Sequence, residues 1–398
     1  MRDLITVTVT EKAEKSARAG HPWIYSDEVI SADGEYENGD IVDVRSRKGK
    51  YIGSGFINDN SKIRVRIISR NANDKFDGPF WERRVKYALD YRRTVMPGDD
   101  FKCCRLIFGE ADTFPGLTVD RFEDVLVTEV LCLGIEQRKS VIYDALLSQL
   151  PGITALYERS DSDIRTLEGM EKHCGFYYGS GDGLVTIKEN GILYNVDYIN
   201  GQKTGFFLDQ KYNRAAVGRI AKGKRVLDCF THTGAFALNA AQGGAESVAA
   251  VDISGKAIED AKANAKLNGL QDKIDFLCAD VFDYLTKLYN ENNKKYDFII
   301  LDPPAFTKSR DTVKDAMRGY KEINLKAMRL LPRGGYLATC SCSHFMRDSL
   351  FCQMIHAAAE DAGVSLRQTE ARQQSPDHPI LWNVPETDYL KFYIFQIV

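Results

Sequence analysis

Between Ile5 and Ile68 the apolar residues fall in short runs, Ile5–Val9, Asp40–Val44, Tyr51–Ile57 and Ile63–Ile68, which alternate with polar residues or are β-branched and are separated by Gly, Asn and Asp. Such runs predict short strands joined by tight turns, and together a small β-barrel. In Ile63-Arg-Val-Arg-Ile the period of two puts Arg64 and Arg66 on one face and the aliphatics on the other. Asn71-Ala-Asn-Asp reads as a linker, and Phe80 to Val95 has helical spacing. Strand-like runs at Leu117–Asp120 and Val125–Val130, a helix from about Ile135 to Leu150, and returning strands at Ala155–Glu158 and Leu184–Ile187 outline a small α+β domain.

Beyond Leu193 the pattern changes to regular alternation. Strands are expected at Arg225–Phe230, Ser247–Asp252, Ile274–Leu277, Asp297–Asp302 and Gly335–Cys340, with helices at Phe236–Gln242, Gly255–Asn268, Val281–Asn290, Val313–Leu331 and Ser349–Ala362. Repeated β-α-β units imply an α/β domain with an open, mainly parallel sheet, helices on both faces and ligands beyond the carboxyl ends of the strands. The expected division is 1–73, a β-barrel; 74–185, a central α+β domain; and 186–398, the α/β domain.

With 398 residues, 27% of them charged and 44% hydrophobic, the chain fits two or three globular domains. No run is long and apolar enough for a membrane span, and the N-terminal residues lack the apolar core of a signal peptide, so the expectation is a cytoplasmic protein without membrane contact. Nine cysteines, an odd number without a CxxC pair, point to reduced thiols rather than disulfides or a metal site. The net charge of −3 hides a basic stretch: from Arg45 to Arg70 eight Lys and Arg face one acid, Asp59. Arg45, Lys48, Arg64 and Arg66 are therefore candidate nucleic-acid contacts, against the plainer alternative of a solvated strand face.

The chemistry gathers at strand ends. Asp228, Asp252, Asp280 and Asp302 each fall at or just after a strand terminus, and the first strand runs into the turn Phe230-Thr-His-Thr-Gly-Ala-Phe. A dehydrogenase turn would need G-x-G-x-x-G to hold a pyrophosphate; here Gly234 stands alone, and the turn resembles the nucleoside loop of S-adenosylmethionine-dependent methyltransferases. Asp252, 24 residues after Asp228, has near the spacing at which an acid meets ribose hydroxyls, and Asp280 would face an adenine. Each aspartate could instead cap the helix that follows.

Asp302-Pro303-Pro304-Ala305-Phe306 makes a rigid corner poor in amide donors, similar to the D-P-P-aromatic motif of nucleobase methyltransferases. Thr339-Cys340-Ser341-Cys342-Ser343 ends the next strand. Cytosine C5 is not nucleophilic until something adds to C6, so a carbon methyltransferase needs a thiolate beside the base. Thr-Cys-Ser at this place resembles the nucleophile motif of RNA cytosine-5 methyltransferases, which makes Cys340 and Asp302 the candidate catalytic pair.

Along nearly its whole length the chain resembles the bacterial large-subunit (23S) ribosomal RNA cytosine-5 methyltransferases with an N-terminal PUA domain. The likeness is carried by Ala19-Gly-His-Pro-Trp-Ile-Tyr, Gly49-Lys-Tyr-Ile-Gly-Ser-Gly-Phe, Gly201-Gln-Lys-Thr-Gly-Phe-Phe-Leu-Asp-Gln, Asp228-Cys-Phe-Thr-His-Thr-Gly, Asp302-Pro-Pro-Ala-Phe and Cys340-Ser-Cys-Ser. The resemblance implies a PUA-like barrel, a Rossmann-like class I methyltransferase domain with a mixed, mainly parallel sheet, ribosomal RNA as substrate, and a homodimer as one assembly to test. It further implies S-adenosyl-L-methionine as cofactor, held by Lys203, Phe207, Asp228, Phe230, Thr231, Gly234, Asp252, Asp280 and Pro303. One position departs from the wider group of RNA cytosine-5 enzymes, where a second cysteine follows the first proline of the D-P-P corner; Pro304 stands there. Rival readings are a guanine N2 methyltransferase of the same fold, a non-catalytic RNA-binding assembly factor and a small-molecule methyltransferase.

Overall fold

The computed structural model describes residues 4–307, 309 and 311–398. They form two compact units, the first of 1–186, 196–208 and 376–387, the second of 187–195, 209–375 and 388–398. The first unit thus takes in two later excursions of the chain that the alternating pattern had assigned to the α/β domain.

The first unit opens with β1 (Thr6–Val9), α1 (Glu11–Arg18), β2 (Trp23–Tyr25), β3 (Val29–Ala32), β4 (Ile41–Ser46), β5 (Tyr51–Ile57) and β6 (Ile63–Ser69), whose strands make a sheet in the order β2-β6-β5-β4-β1-β3. Its inward positions, among them Val7, Val9, Ile24, Val42, Val44, Val65 and Ile67, form one core cluster, the alternation legible in the strand runs. Helix α1 escaped that pattern because its buried face consists of Ala13 and Ala17, too small to register as an apolar stripe.

Next come α2 (Gly78–Val95), β7 (Cys103–Phe108), β8 (Leu117–Phe122), β9 (Val125–Val130), α3 (Leu133–Glu136), α4 (Lys139–Gln149), β10 (Ala155–Ser160), α5 (Ile164–Leu167) and β11 (His173–Tyr178). These strands form a second sheet, β11-β10-β9-β8-β7. The helix expected over 135–150 is broken at Arg138, whose φ of −121° is not helical and whose guanidinium donates to the carbonyl oxygens of Gly39 and Gly134.

After the hairpin β12 (Leu184–Glu189) and β13 (Ile192–Asp197), the second unit runs through α6 (Lys211–Ile220), β14 (Arg225–Cys229), α7 (Ala235–Gln242), β15 (Ser247–Asp252), α8 (Gly255–Leu267), β16 (Ile274–Cys278) and α9 (Val281–Asn290). It closes with β17 (Phe298–Leu301), α10 (Val313–Leu330), β18 (Tyr336–Ser341), α11 (Asp348–Ala362), β19 (Leu366–Arg372) and β20 (Lys391–Ile397). The sheet order is β16-β15-β14-β17-β18-β20-β19, parallel from β16 to β18 and antiparallel at β20 and β19, the mixed, mainly parallel sheet expected of a Rossmann-like domain. Phe298-Ile-Ile-Leu in β17 is buried at every position, as a central parallel strand covered on both faces must be. No helix among the described residues is long and apolar enough to cross a membrane.

Candidate functional site

Strand order reverses direction between β14 and β17, so the carboxyl ends of these strands border the crevice in which open α/β sheets bind ligands. Asp228, at the end of β14, is fully buried: Oδ2 accepts from Thr231 Oγ1 at 2.6 Å and from the Ala237 amide at 2.9 Å, while Oδ1 meets no partner among the described residues. It fastens the following turn to the start of α7, and burial pushes its carboxyl up to about 7. Phe230, His232 and Gly234 take φ of 63°, 49° and 83°, so two non-glycine residues in this turn carry the strain of the left-handed region. The Thr231 amide donates to Val251 O, the His232 amide to Asp252 Oδ2 and the Gly234 amide to Thr231 O. With those amides engaged internally, the turn has no cradle of the kind a pyrophosphate requires.

Asp252, half-buried at the end of β15, accepts the His232 and Ser254 amides at 2.9 Å each and retains further acceptor capacity on both oxygens. Asp280 caps α9, its Oδ1 taking the amides of Phe282 and Asp283 at 2.8 and 3.2 Å, the plain capping use open to any strand-end aspartate. Beside these acids Phe230, Phe282 and Phe306 hold their ring centroids 5.8 to 6.5 Å apart, and Tyr320 lies 4.6 Å from Phe306. A carboxylate with spare lone pairs next to an aromatic wall, with a Thr233 hydroxyl unpartnered among the described residues in the same turn, suits an uncharged nucleoside rather than a phosphate. Lys203 and Phe207 belong to the first unit, where Lys203 has φ of 55°.

Asp302 and Cys340 come together at the ends of β17 and β18. Cys340 is fully buried with Asp302 close enough to act on its thiol, and Gln210 Nε2 donates to Asp302 Oδ1 at 3.0 Å. Burial and the nearby Asp209 lift the Asp302 carboxyl to about 7; burial, then the charge of Asp302, raise the Cys340 thiol well above its ordinary range. Half-buried Cys342 places Sγ 4.0 Å from the Pro303 carbonyl oxygen, and burial and Asp302 push its thiol up to about 12. Lys391 donates to Ser343 O and Tyr389 O at 2.7 and 2.8 Å, and burial pushes its amine down to about 8. Pro303 is buried whereas Pro304 is exposed.

A family model described as S-adenosylmethionine-dependent methyltransferase matches residues 117–393, and one described as PUA-like domain matches residues 7–70. The chain belongs to the S-adenosylmethionine-dependent methyltransferase family. The methyltransferase is 40% identical to the "Ribosomal RNA large subunit methyltransferase I" of Pseudoalteromonas translucida, covering 96% of this chain and 97% of that one. Its counterpart of the same name in Shewanella denitrificans is 39% identical, with 99% of each chain covered. A solved chain from Streptococcus mutans assigned to the SAM-dependent methyltransferases shares the fold, with a TM-score of 0.84, 23% identity, and coverage of 99% of this chain and 100% of that one. The cofactor of the methyltransferase is S-adenosylmethionine, in keeping with the nucleoside-type turn after β14.

On β6 the period of two holds, with Val65 and Ile67 in the core and Arg64 and Arg66 on the opposite side, but both arginines are ion-paired. Arg66 is locked between Glu110 and Glu168 at 3.2 and 2.9 Å, with its guanidinium 5.8 Å from the Trp23 ring and only 13% of its side chain exposed. Arg64 is paired with Asp59. Arg45 leans back on Gly49 O at 3.2 Å, while Arg47, Lys48 and Lys50 are exposed on the turn between β4 and β5. Of the candidate RNA contacts, Lys48 is thus exposed on this turn, whereas Arg64 and Arg66 are held by carboxylates.

Several residues of the site had no motif to announce them. Gln210 ends the Gly201–Gln210 run, so its signal was present without a role; Phe282, Phe306, Tyr320 and Lys391 look like ordinary core or strand positions, and Lys391 reaches the site through the pairing of Ser341 with Lys391 across β18 and β20.

Proposed function

We propose that the methyltransferase acts on large-subunit ribosomal RNA and methylates C5 of a cytosine by way of a covalent bond from Cys340 to C6. The pairing of a buried thiol with a carboxyl that titrates near neutrality, Cys340 beside Asp302, carries this reading. The substrate class is drawn from relatives of near-equal length named for ribosomal RNA. S-adenosylmethionine, when bound, supplies an electrophilic methyl group; Asp252 suits its ribose hydroxyls, and Phe230 and Phe282 suit the faces of its base.

The target cytosine is extruded from the RNA at a cost of a few kcal/mol. A thiol held this far above its ordinary range is protonated at rest, so attack needs a proton acceptor in contact with sulfur, and Asp302 is that acceptor. The proton moves from Cys340 to Asp302 and on to N3 of the base while sulfur bonds to C6, which leaves the adduct without net charge. Asp302 also accepts from the N4 amine, and Gln210 holds its carboxyl in place. With C6 saturated, C5 is nucleophilic and takes the methyl group. Loss of the C5 proton to a base, return of the N3 proton through Asp302 to sulfur, and cleavage of the C6–S bond restore Cys340. Cys342 is the second thiol at hand for release, where Pro304 occupies the position of the cysteine that serves the wider group.

Cys340→Ala is expected to bind S-adenosylmethionine normally and methylate nothing. Cys342→Ala is expected to accumulate a protein–RNA adduct that survives denaturing gels. An active Cys340→Ala with a dead Cys342→Ala would exchange the two roles, and two active variants would replace C5 chemistry by methylation of an exocyclic amine such as guanine N2.

A further inference from the structure

Trp382 is 96% exposed, the largest exposure among the bulky apolar side chains of the described residues. The turn that carries it is not loose. Val384 N donates to Leu381 O at 2.7 Å, Leu381 N donates to Thr387 Oγ1 at 2.9 Å, that hydroxyl donates to Val384 O at 2.7 Å, and Glu386 pairs with His21 at 3.3 Å. Gly20 has φ of +104°, and a Cβ there would lie 2.0 Å from Asn383 Nδ2, so only glycine lets Asn383 settle against the α1–β2 loop. A single exposed apolar residue needs no explanation, but an indole held out on a pinned turn does when a charged cavity adjoins it.

The residues flanking it, Leu381 and Asn383, line a cavity of about 250 Å³ together with Ile67, Arg70 and Arg84, all within the first unit. Arg70 donates to the backbone oxygens of Ala17 and His21, and Arg84 donates to Thr113 Oγ1 and Ile68 O. Neither guanidinium has a salt bridge to a carboxylate among the described residues; the one acid in the lining, Glu110, is engaged by Arg66 and Trp23. Burial lowers the pKa of both arginines, only partly offset at Arg84 by Asp74, and a bound anion would offset it further. An aromatic platform near partly desolvated cations is the chemistry that holds single-stranded nucleic acid.

We propose that Trp382, Arg70 and Arg84 form a binding site for an unpaired nucleotide of RNA, its base stacked on the indole and its phosphate held by the two guanidiniums. The site rests on the reading of RNA as substrate and adds a contact to it outside the methyl-transfer centre.

The test uses the full-length protein and a short, unstructured, dye-labelled oligouridylate, with anisotropy titrations at several salt concentrations. Trp382→Ala should weaken binding roughly tenfold to a hundredfold, the usual effect of removing a stacking platform, whereas Trp382→Phe should keep most of the affinity. Arg70→Gln should lower the salt slope by about 0.7, the value for one contact to a single strand. If Trp382→Ala and Arg70→Gln match the wild-type affinity and slope, the site is overturned. Methylation of ribosomal RNA by the same wild-type preparation separates the two claims. Variant-sensitive oligouridylate binding without any methylation retains the site and defeats the substrate reading; methylation with variant-insensitive binding does the reverse.

Discussion

The carboxyl edge of the second unit's sheet and strand β6 of the barrel both carry charged residues at regular spacing, yet they resolve in opposite ways. On β6 the spacing suggested a binding face, and Arg66 turns out to be neutralised by Glu110 and Glu168. At the sheet edge the charges are buried or half-buried without a full complement: Asp228 leaves Oδ1 unpartnered among the described residues, and Asp228 and Asp302 are both lifted to about 7. Compensated buried charge supports the fold, whereas uncompensated buried charge costs stability and marks a place where the fold keeps it for another purpose.

The largest expected effect breaks the compensated side. Arg66→Met leaves Glu168, only 4% exposed in its side chain, without its cation and should lower stability by about 3–5 kcal/mol in urea unfolding. Arg64→Gln, two residues away and paired with the exposed Asp59, should cost less than about 1 kcal/mol. Equal losses would erase the distinction between them.

Next is a pH effect on the uncompensated side. A carboxyl whose folded pKa is raised binds more protons when folded, so its stabilising contribution is complete below the usual carboxylate range and is lost as pH climbs to about 7. Asp228→Asn preserves an acceptor for Thr231 and Ala237 and removes the titration. The variant should lose its share of the wild-type decline in stability between about pH 4 and 7, a difference of up to a few kcal/mol measured by denaturation at each pH, with the remaining decline belonging to Asp302. A variant with the wild-type pH profile would show that Asp228 is not the titrating group.

A smaller loss is expected on the ligand itself. Asp252→Ala should weaken S-adenosylmethionine binding by about 1–3 kcal/mol in calorimetry, with the fold intact. The mildest change concerns the barrel turn, where replacing Arg47, Lys48 and Lys50 by Gln should reduce the salt slope of RNA binding by about 2–3 and Arg64→Gln should leave it unchanged. The reverse outcome would return the phosphate contacts to β6.

Much of the second unit was legible because its signals are local: apolar strands ending in Asp228, Asp252, Asp302 and Cys340 announce themselves within a few residues. What those residues touch was not. The pattern leaves Asp280 to face adenine or to cap a helix, and its Oδ1 takes the first amides of α9. Arg66 reads as one half of a pattern, and its partners stand 44 and 102 residues away, beyond any periodicity. Gln210 and Lys391 come to Asp302 and Cys342 from a short turn before α6 and from the last strand, and the antiparallel return of β20 that delivers Lys391 has no motif. Trp382 was invisible for a different reason: exposure is a tertiary property, and a tryptophan among Ile380, Leu381 and Val384 looks like core.

The central claim is that the Asp302 and Cys340 pair directs methyl transfer to cytosine C5. Its most direct test is mass spectrometry of nucleosides from large-subunit ribosomal RNA incubated with isotopically labelled S-adenosylmethionine and either wild-type protein or Cys340→Ala. The account predicts labelled 5-methylcytidine with the wild type and no labelled nucleoside with the variant. Labelled N2-methylguanosine, or 5-methylcytidine formed equally by both proteins, would contradict it.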